Sequence, residues 1–160
     1  MRNLVLLGLY ILSFTQCKGQ QPEESIVLLP EGYTGPVAII FSQKEGVEPK
    51  VENGKYVYEI PISGILRTTV EANMQIAGHE YYYVSKNEER IPIEYLLPKG
   101  LENVGRTLSE SSLNENANYI AGEEMSGLNS GSRVRLFVAG KVSEMETLGQ
   151  EKYELLFKLE

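Results

Sequence analysis

Apolar residues in this chain come in short runs cut apart by Gly, Pro and Asn turns, a spacing that predicts strands more often than helices. Residues 26–29 (IVLL) form the first run, closed by Pro30-Glu31-Gly32. Residues 37–41 (VAIIF) are apolar at every position, which predicts a central strand covered on both faces. The Asn53-Gly54 turn leads into 55–60 (KYVYEI), where Tyr56, Tyr58 and Ile60 fall on one face. A further β-branched run fills 65–70 (ILRTTV). Residues 79–84 (HEYYYV) and 91–96 (IPIEYL) flank a polar segment and predict a hairpin. Pro92 lacks a ladder donor, so its arm is expected at a sheet edge.

Residues 99–131 break the rhythm, being rich in Asn, Ser, Glu and Gly. A weak helical spacing runs through Leu113, Ala117, Ile120 and Ala121, but the stretch predicts mainly one long irregular connection, a candidate mobile or recognition segment. Regularity returns at 133–138 (RVRLFV), with Val134, Leu136 and Val138 on one face. At the C-terminus Tyr153, Leu155, Phe157 and Leu159 alternate with other residues, which favours a strand; Tyr153, Leu156 and Phe157 would also suit a short helix. The sum is an all-β or mainly β fold, an antiparallel β-sandwich of about seven or eight short strands.

The first residues follow a different rule. Arg2 and the uncharged run 4–14 (LVLLGLYILSF) have the layout of a secretory signal, and the run is far shorter than the ~20 residues a spanning helix needs. The single cysteine follows at once. Phe14-Thr15-Gln16-Cys17 resembles a bacterial lipobox, in which the cysteine is acylated and becomes the new N-terminus, and it is similar to the relaxed boxes of Bacteroidota-type surface proteins. Gln16 stands where a small residue is usual. Ordinary cleavage after Ser13-Phe14-Thr15 or Cys17-Lys18-Gly19 is the alternative. Anchoring also explains why a lone thiol is kept, since a free one invites unwanted pairing in an oxidising compartment. Each buried acyl CH₂ contributes about 0.8 kcal/mol to retention. The expected organisation is a signal peptide at 1–16, a lipidated N-terminus and tether at 17–25, and one β-rich domain at 26–160. The expected address is the bacterial envelope, as an outer-membrane lipoprotein, or else a soluble periplasmic or secreted protein.

Composition then removes whole function classes. The formal net charge is −7 and the hydrophobic fraction 42%. An acidic domain is a poor ligand for nucleic acid. Every acidic residue is Glu, so an Asp-based calcium loop is excluded. One His and one Cys cannot build a zinc site of the usual kind within one chain. There is no phosphate-binding loop; 127–132 (GLNSGS) is the nearest approach and lacks the lysine and the following helix. No cofactor or metal is expected.

The stretch Leu28-Leu29-Pro30-Glu31-Gly32-Tyr33-x-Gly35-Pro36-Val37, followed by Tyr58-Glu59-Ile60-Pro61-x-x-Gly64-Ile65-Leu66-x-Thr68, resembles an uncharacterised domain family of small secreted bacterial proteins and lipoproteins. Tyr81 to Tyr83 and 133–140 (RVRLFVAG) extend the likeness. It implies a β-rich fold outside the cytoplasm and assigns no catalytic residue.

Few side chains are candidates for chemistry. His79 beside Glu80 could be an oriented base, although a lone histidine at a strand start is more often a surface or edge residue. Tyr81, Tyr82 and Tyr83 are possible binding residues if exposed, against the commoner use of tyrosine in packing. Glu88-Glu89 and Glu123-Glu124 could act as acid–base or metal pairs, but adjacent loop charges are usually just solvated. Three function classes remain: a non-enzymatic envelope module binding a protein or glycan, an inhibitor or immunity-type lipoprotein against a basic attacker, and a Glu-based hydrolase. The first is favoured. Replacing Cys17 by Ser is expected to shift the protein from the membrane fraction to the soluble one; identical fractionation of mutant and parent would contradict lipid anchoring.

Overall fold

The computed structural model describes residues 24–73, 78–96 and 113–160. The expected signal peptide at 1–16, Cys17, the expected tether up to residue 23 and residues 99–112 of the long connection lie outside them. Among the described residues, nine strands form one sheet: β1 (Ser25–Pro30), β2 (Gly35–Ile40), β3 (Lys50–Glu52), β4 (Lys55–Glu59), β5 (Ile65–Arg67), β6 (His79–Val84), β7 (Arg90–Leu96), β8 (Asn118–Gly127) and β9 (Arg133–Lys141). The described residues also include a 3₁₀ turn (Val142–Glu144) and a helix, α1 (Met145–Leu159). The mainly β expectation holds.

The strand order is β3-β4-β1-β6-β7-β8-β9-β2-β5. The sheet is mixed rather than antiparallel throughout. β1 runs parallel to both β4 and β6, β2 is parallel to β5, and β7 is parallel to β8. Strands close in sequence, such as β1 and β2, are placed in opposite halves, which local turn signals do not foretell. The sheet curls so that those halves share one core, as a two-layer packing would. Tyr58 of β4 meets Phe41, just past β2, edge-on at 6.0 Å, and Tyr81 of β6 meets Phe137 of β9 at 5.4 Å.

One short segment links the two edges. Val47 forms a parallel bridge with Thr68 beside β5, its N–H donating to Arg67 O at 2.8 Å. Three residues later the same segment becomes β3 and pairs with β4. The curled sheet is thereby strapped across its seam.

Two other layers cover the outer faces. Ala38, Ile40, Val134 and Leu136 pack against Leu155, Leu156 and Leu159 of α1, which explains why residues 37–41 are apolar on both faces. Ile26, Leu28 and Val57 on the outer face of β1 and β4 lie under charge. Lys55 of β4 and Glu80 of β6 flank β1 and pair at 2.7 Å across it, and Arg90 grips both carboxylate oxygens of Glu52 at 2.7 and 2.8 Å.

Three local expectations are corrected. The C-terminal run is helical, not a strand: Leu148, Lys152, Leu155, Leu156 and Leu159 follow the 3–4 spacing of one buried helix face, while Tyr153 and Phe157 point outward. The long irregular connection contains β8, a ten-residue strand at Asn118–Gly127. β7 is interior, between β6 and β8, and not an edge. Pro92 is tolerated there for a local reason. Ser85 donates to Glu89 O at 2.9 Å, and hydrogen-bonded pairs alternate along an antiparallel ladder, so Tyr82–Pro92 is a non-bonded pair. Its missing donor faces away from β6, and β8 begins pairing with β7 only at Glu94.

The motif around residues 28–68 is architectural. Tyr33 donates to Pro36 O at 2.7 Å and Tyr83 donates to Tyr33 O at 2.7 Å. Gly64, at φ +74°, lies so close that a Cβ there would fall 2.6 Å from Pro36 O. Gly64→Ala should therefore cost about 2–4 kcal/mol in chemical denaturation. Gly149→Ala, on the helix with open space around it, should instead stabilise by about 0.5–1 kcal/mol. Equal effects from the two would contradict this packing.

Candidate functional site: a sealed polar cluster

The ladder between β8 and β9 slips by one residue. Ala121 pairs with Val138, but Glu124 pairs with Leu136, leaving Gly122 and Glu123 opposite Phe137. This is a β-bulge, and Gly122 takes the positive φ of 62° within it. Side-chain direction alternates along a strand, so one extra residue reverses everything beyond it. Glu123 turns into the curled sheet and Glu124 turns out. Outside, Lys152 of α1 secures the bulge, donating to Gly122 O at 2.7 Å and lying 3.1 Å from Glu124 Oε1.

Inside, Glu123 meets side chains from three other strands. Tyr81 donates to its Oε2 at 2.6 Å, and Arg135 Nε of β9 lies 3.4 Å from Oε1. The Glu123 N–H donates to Tyr95 Oη at 3.2 Å. Arg135 also donates from Nη1 to Ser25 Oγ at 3.2 Å and sits over the Phe41 ring at 5.6 Å. Ser25 Oγ lies 2.9 Å from His79 Nδ1, and His79 Nε2 lies 3.8 Å from Glu123 Oε1. Side-chain exposure is 4% for Arg135, 5% for His79 and 12% for Glu123. An ion pair is thus buried in the sheet interior with a histidine and a serine beside it.

The electrostatics follow from that burial. Desolvation, and then the Arg135 charge, push the His79 pKa down to about 4, so the imidazole is neutral at ordinary pH. Ser25 Oγ accepts from Arg135 and has its own proton to give to Nδ1; the tautomer that uses it carries the imidazole proton on Nε2, facing Glu123. Burial and the Glu123 carboxylate hold the Tyr81 hydroxyl well above its ordinary pKa.

The residue set resembles a Ser-His-Glu triad in composition only. Ser25 is 3% exposed and sits on a strand flanked on both sides. Two surface depressions among the described residues lie elsewhere: one of about 220 Å³ at the seam, lined by Val47, Tyr58, Leu66 and Thr68, and one beside Thr34 and Thr147. Among the described residues, no three His, Cys, Asp or Glu side chains converge to hold a metal ion.

The sequence-predicted residues are distributed unevenly. Cys17 lies outside the described residues. His79 is buried rather than at the surface or an edge, and Glu80 points the opposite way, to Lys55 and Tyr82. Tyr81 and Tyr83 are core residues, 4% and 8% exposed, which removes them as contact surface. Tyr82 is half-buried on the outer face, its hydroxyl donating to Glu80 at 2.8 Å. Glu88 and Glu89 are exposed in the β6–β7 turn, as solvated charges would be. Glu123 and Glu124 are not; each meets a buried cation on opposite sides of the sheet. Ser25 and Arg135 were not singled out from sequence. The available signal was Arg135 within an apolar strand, where a charge needs a partner.

The family model of DUF6843, a family of unknown function, matches residues 21–129. Among curated proteins none matches the chain. The chain is similar to a crystal structure of a provisionally designated lipoprotein from Bacillus anthracis, with 15% identity and a TM-score of 0.48, over 77% of this chain and 73% of that one.

If the cluster is held together by charge, Glu123→Gln strands Arg135 and should destabilise the fold by about 3–5 kcal/mol. Glu123→Gln combined with Arg135→Met should recover part of that loss. Additive losses in denaturant melts would show that the two are uncoupled.

Proposed function

We propose that this chain, which belongs to the DUF6843 family of unknown function, is a cell-envelope lipoprotein held through Cys17, and that its β domain is a non-enzymatic binding or accessory module. The signal-like segment ending at Cys17 supports the anchor, and no helix among the described residues is long and apolar enough to cross a membrane. An outer-membrane position, with the domain carried on the short tether before Ser25, fits the same reading. The observation that carries the module reading is the closure of the polar cluster. Ser25, His79 and Glu123, the side chains best suited to nucleophilic or acid–base chemistry, are engaged with one another and with Arg135 in the interior. A Glu-based hydrolase needs two carboxylates across a cleft. Glu123 and Glu124, the adjacent pair on β8, face opposite sides of the sheet.

The test is complementation of a deletion strain of the native host. Ser25→Ala and His79→Gln variants that remain folded and membrane-associated are expected to restore the parental phenotype nearly in full. A folded, correctly placed variant that restores nothing would point to chemistry at the cluster.

A further inference from the structure

The outer face of α1 exposes two aromatic side chains. Tyr153 is 50% exposed and Phe157 74% exposed, one turn apart on the same stripe. Fraying does not account for this. The opposite face is seated through Leu148, Lys152, Leu155, Leu156 and Leu159, the last of these still in contact with the apolar layer over β2 and β9. Lys152 Nζ sits over the Tyr153 ring at 4.9 Å. A rigid helix therefore presents an aromatic pair at low ordering cost, the arrangement typical of contact hot spots.

The surround names the partner. Glu146, Glu151 and Glu154 on the helix and Glu160 just after it are exposed, against one exposed lysine, Lys158. The whole chain carries −7. Two such faces would repel each other, as would this face and an anionic lipid surface. A basic protein surface with apolar side chains among its lysines and arginines meets both the rings and the carboxylates. We propose that the Tyr153–Phe157 face of α1 is the docking surface for a basic protein partner. The surface lies outside residues 21–129, so it belongs to this chain's own C-terminal part and not to the stretch the family model covers. The proposal rests on the binding-module reading and deepens it; the complementation test can succeed whether or not this face is the one used.

The experiment measures binding of the full-length protein, reconstituted in nanodiscs of neutral phospholipid without detergent, to three probes. These are a synthetic amphipathic helical peptide with leucines on one face and lysines on the other, its Lys→Glu counterpart, and vesicles of anionic phospholipid. The lysine peptide is expected to bind, with Tyr153→Ser plus Phe157→Ser weakening it about tenfold or more while the protein keeps its native circular-dichroism spectrum. Glu146→Lys plus Glu154→Lys should weaken it as well, and the Glu peptide should not bind. Lysine-peptide binding that is absent, or that survives the aromatic double substitution, overturns the proposal. So does self-association or vesicle capture that the double substitution abolishes, since either names a different occupant.

Discussion

One extra residue in β8 determines which way two adjacent carboxylates face, and much of the molecule is arranged around the result. Without the bulge at Gly122, alternation along the strand would send Glu123 outward beneath α1 and Glu124 inward. With it, Arg135 has its counter-ion inside the sheet, and Lys152 has a carbonyl and a carboxylate outside. Arg135 in turn reaches Ser25 at the first residue of β1, and His79 reaches the same hydroxyl from the first residue of β6. The bulge thus connects β8, β9, β1 and β6 within the interior and fastens the helix from without. Buried ion pairs contribute little net stability, because desolvation offsets most of the attraction, but losing one partner is costly.

That arrangement also divides the labour of the molecule. The polar groups of the cluster are occupied with one another in the interior. The outer face over Ile26, Leu28 and Val57 is closed by cross-strand ion pairs such as Lys55–Glu80. The outer face of α1 keeps its aromatics in water. The proposed binding module rests on that division: Ser25, His79 and Glu123 serve internal order, while two rings on a seated helix stay exposed.

The strands were legible wherever apolar residues alternated or ran together, as at residues 26–29, 37–41 and 79–84, because burial on one face or both leaves a direct mark on the sequence. β8 was not, since Gly122 breaks its alternation and its inward residue at the bulge is a glutamate. The C-terminal helix was obscured by Tyr153 and Phe157, exposed aromatics that mimic the buried face of a strand. Parallel pairing of β1 with β4 and β6 had no local signal at all; it depends on which half of the sheet each segment joins. His79 looked like an edge residue because the two groups that bury its charge logic, Arg135 and Glu123, lie far along the chain. The turn motif at 28–68 was visible, and its meaning was architectural: Tyr33, Pro36 and Gly64 touch.

Because the chain holds one histidine, the state of the cluster can be read from a single imidazole. The most direct measurement is an NMR titration of His79 in the folded protein. The account predicts a neutral ring with its proton on Nε2 and an apparent pKa of about 4, displaced downward by burial and by Arg135. The unfolded chain takes up that proton near pH 6.5, so folding stability should decline as pH falls from there toward 4, and His79→Gln should flatten that decline. A histidine that titrates near 6.5 in the native state would mean the cluster is open to water, and the claim that it is sealed would fail.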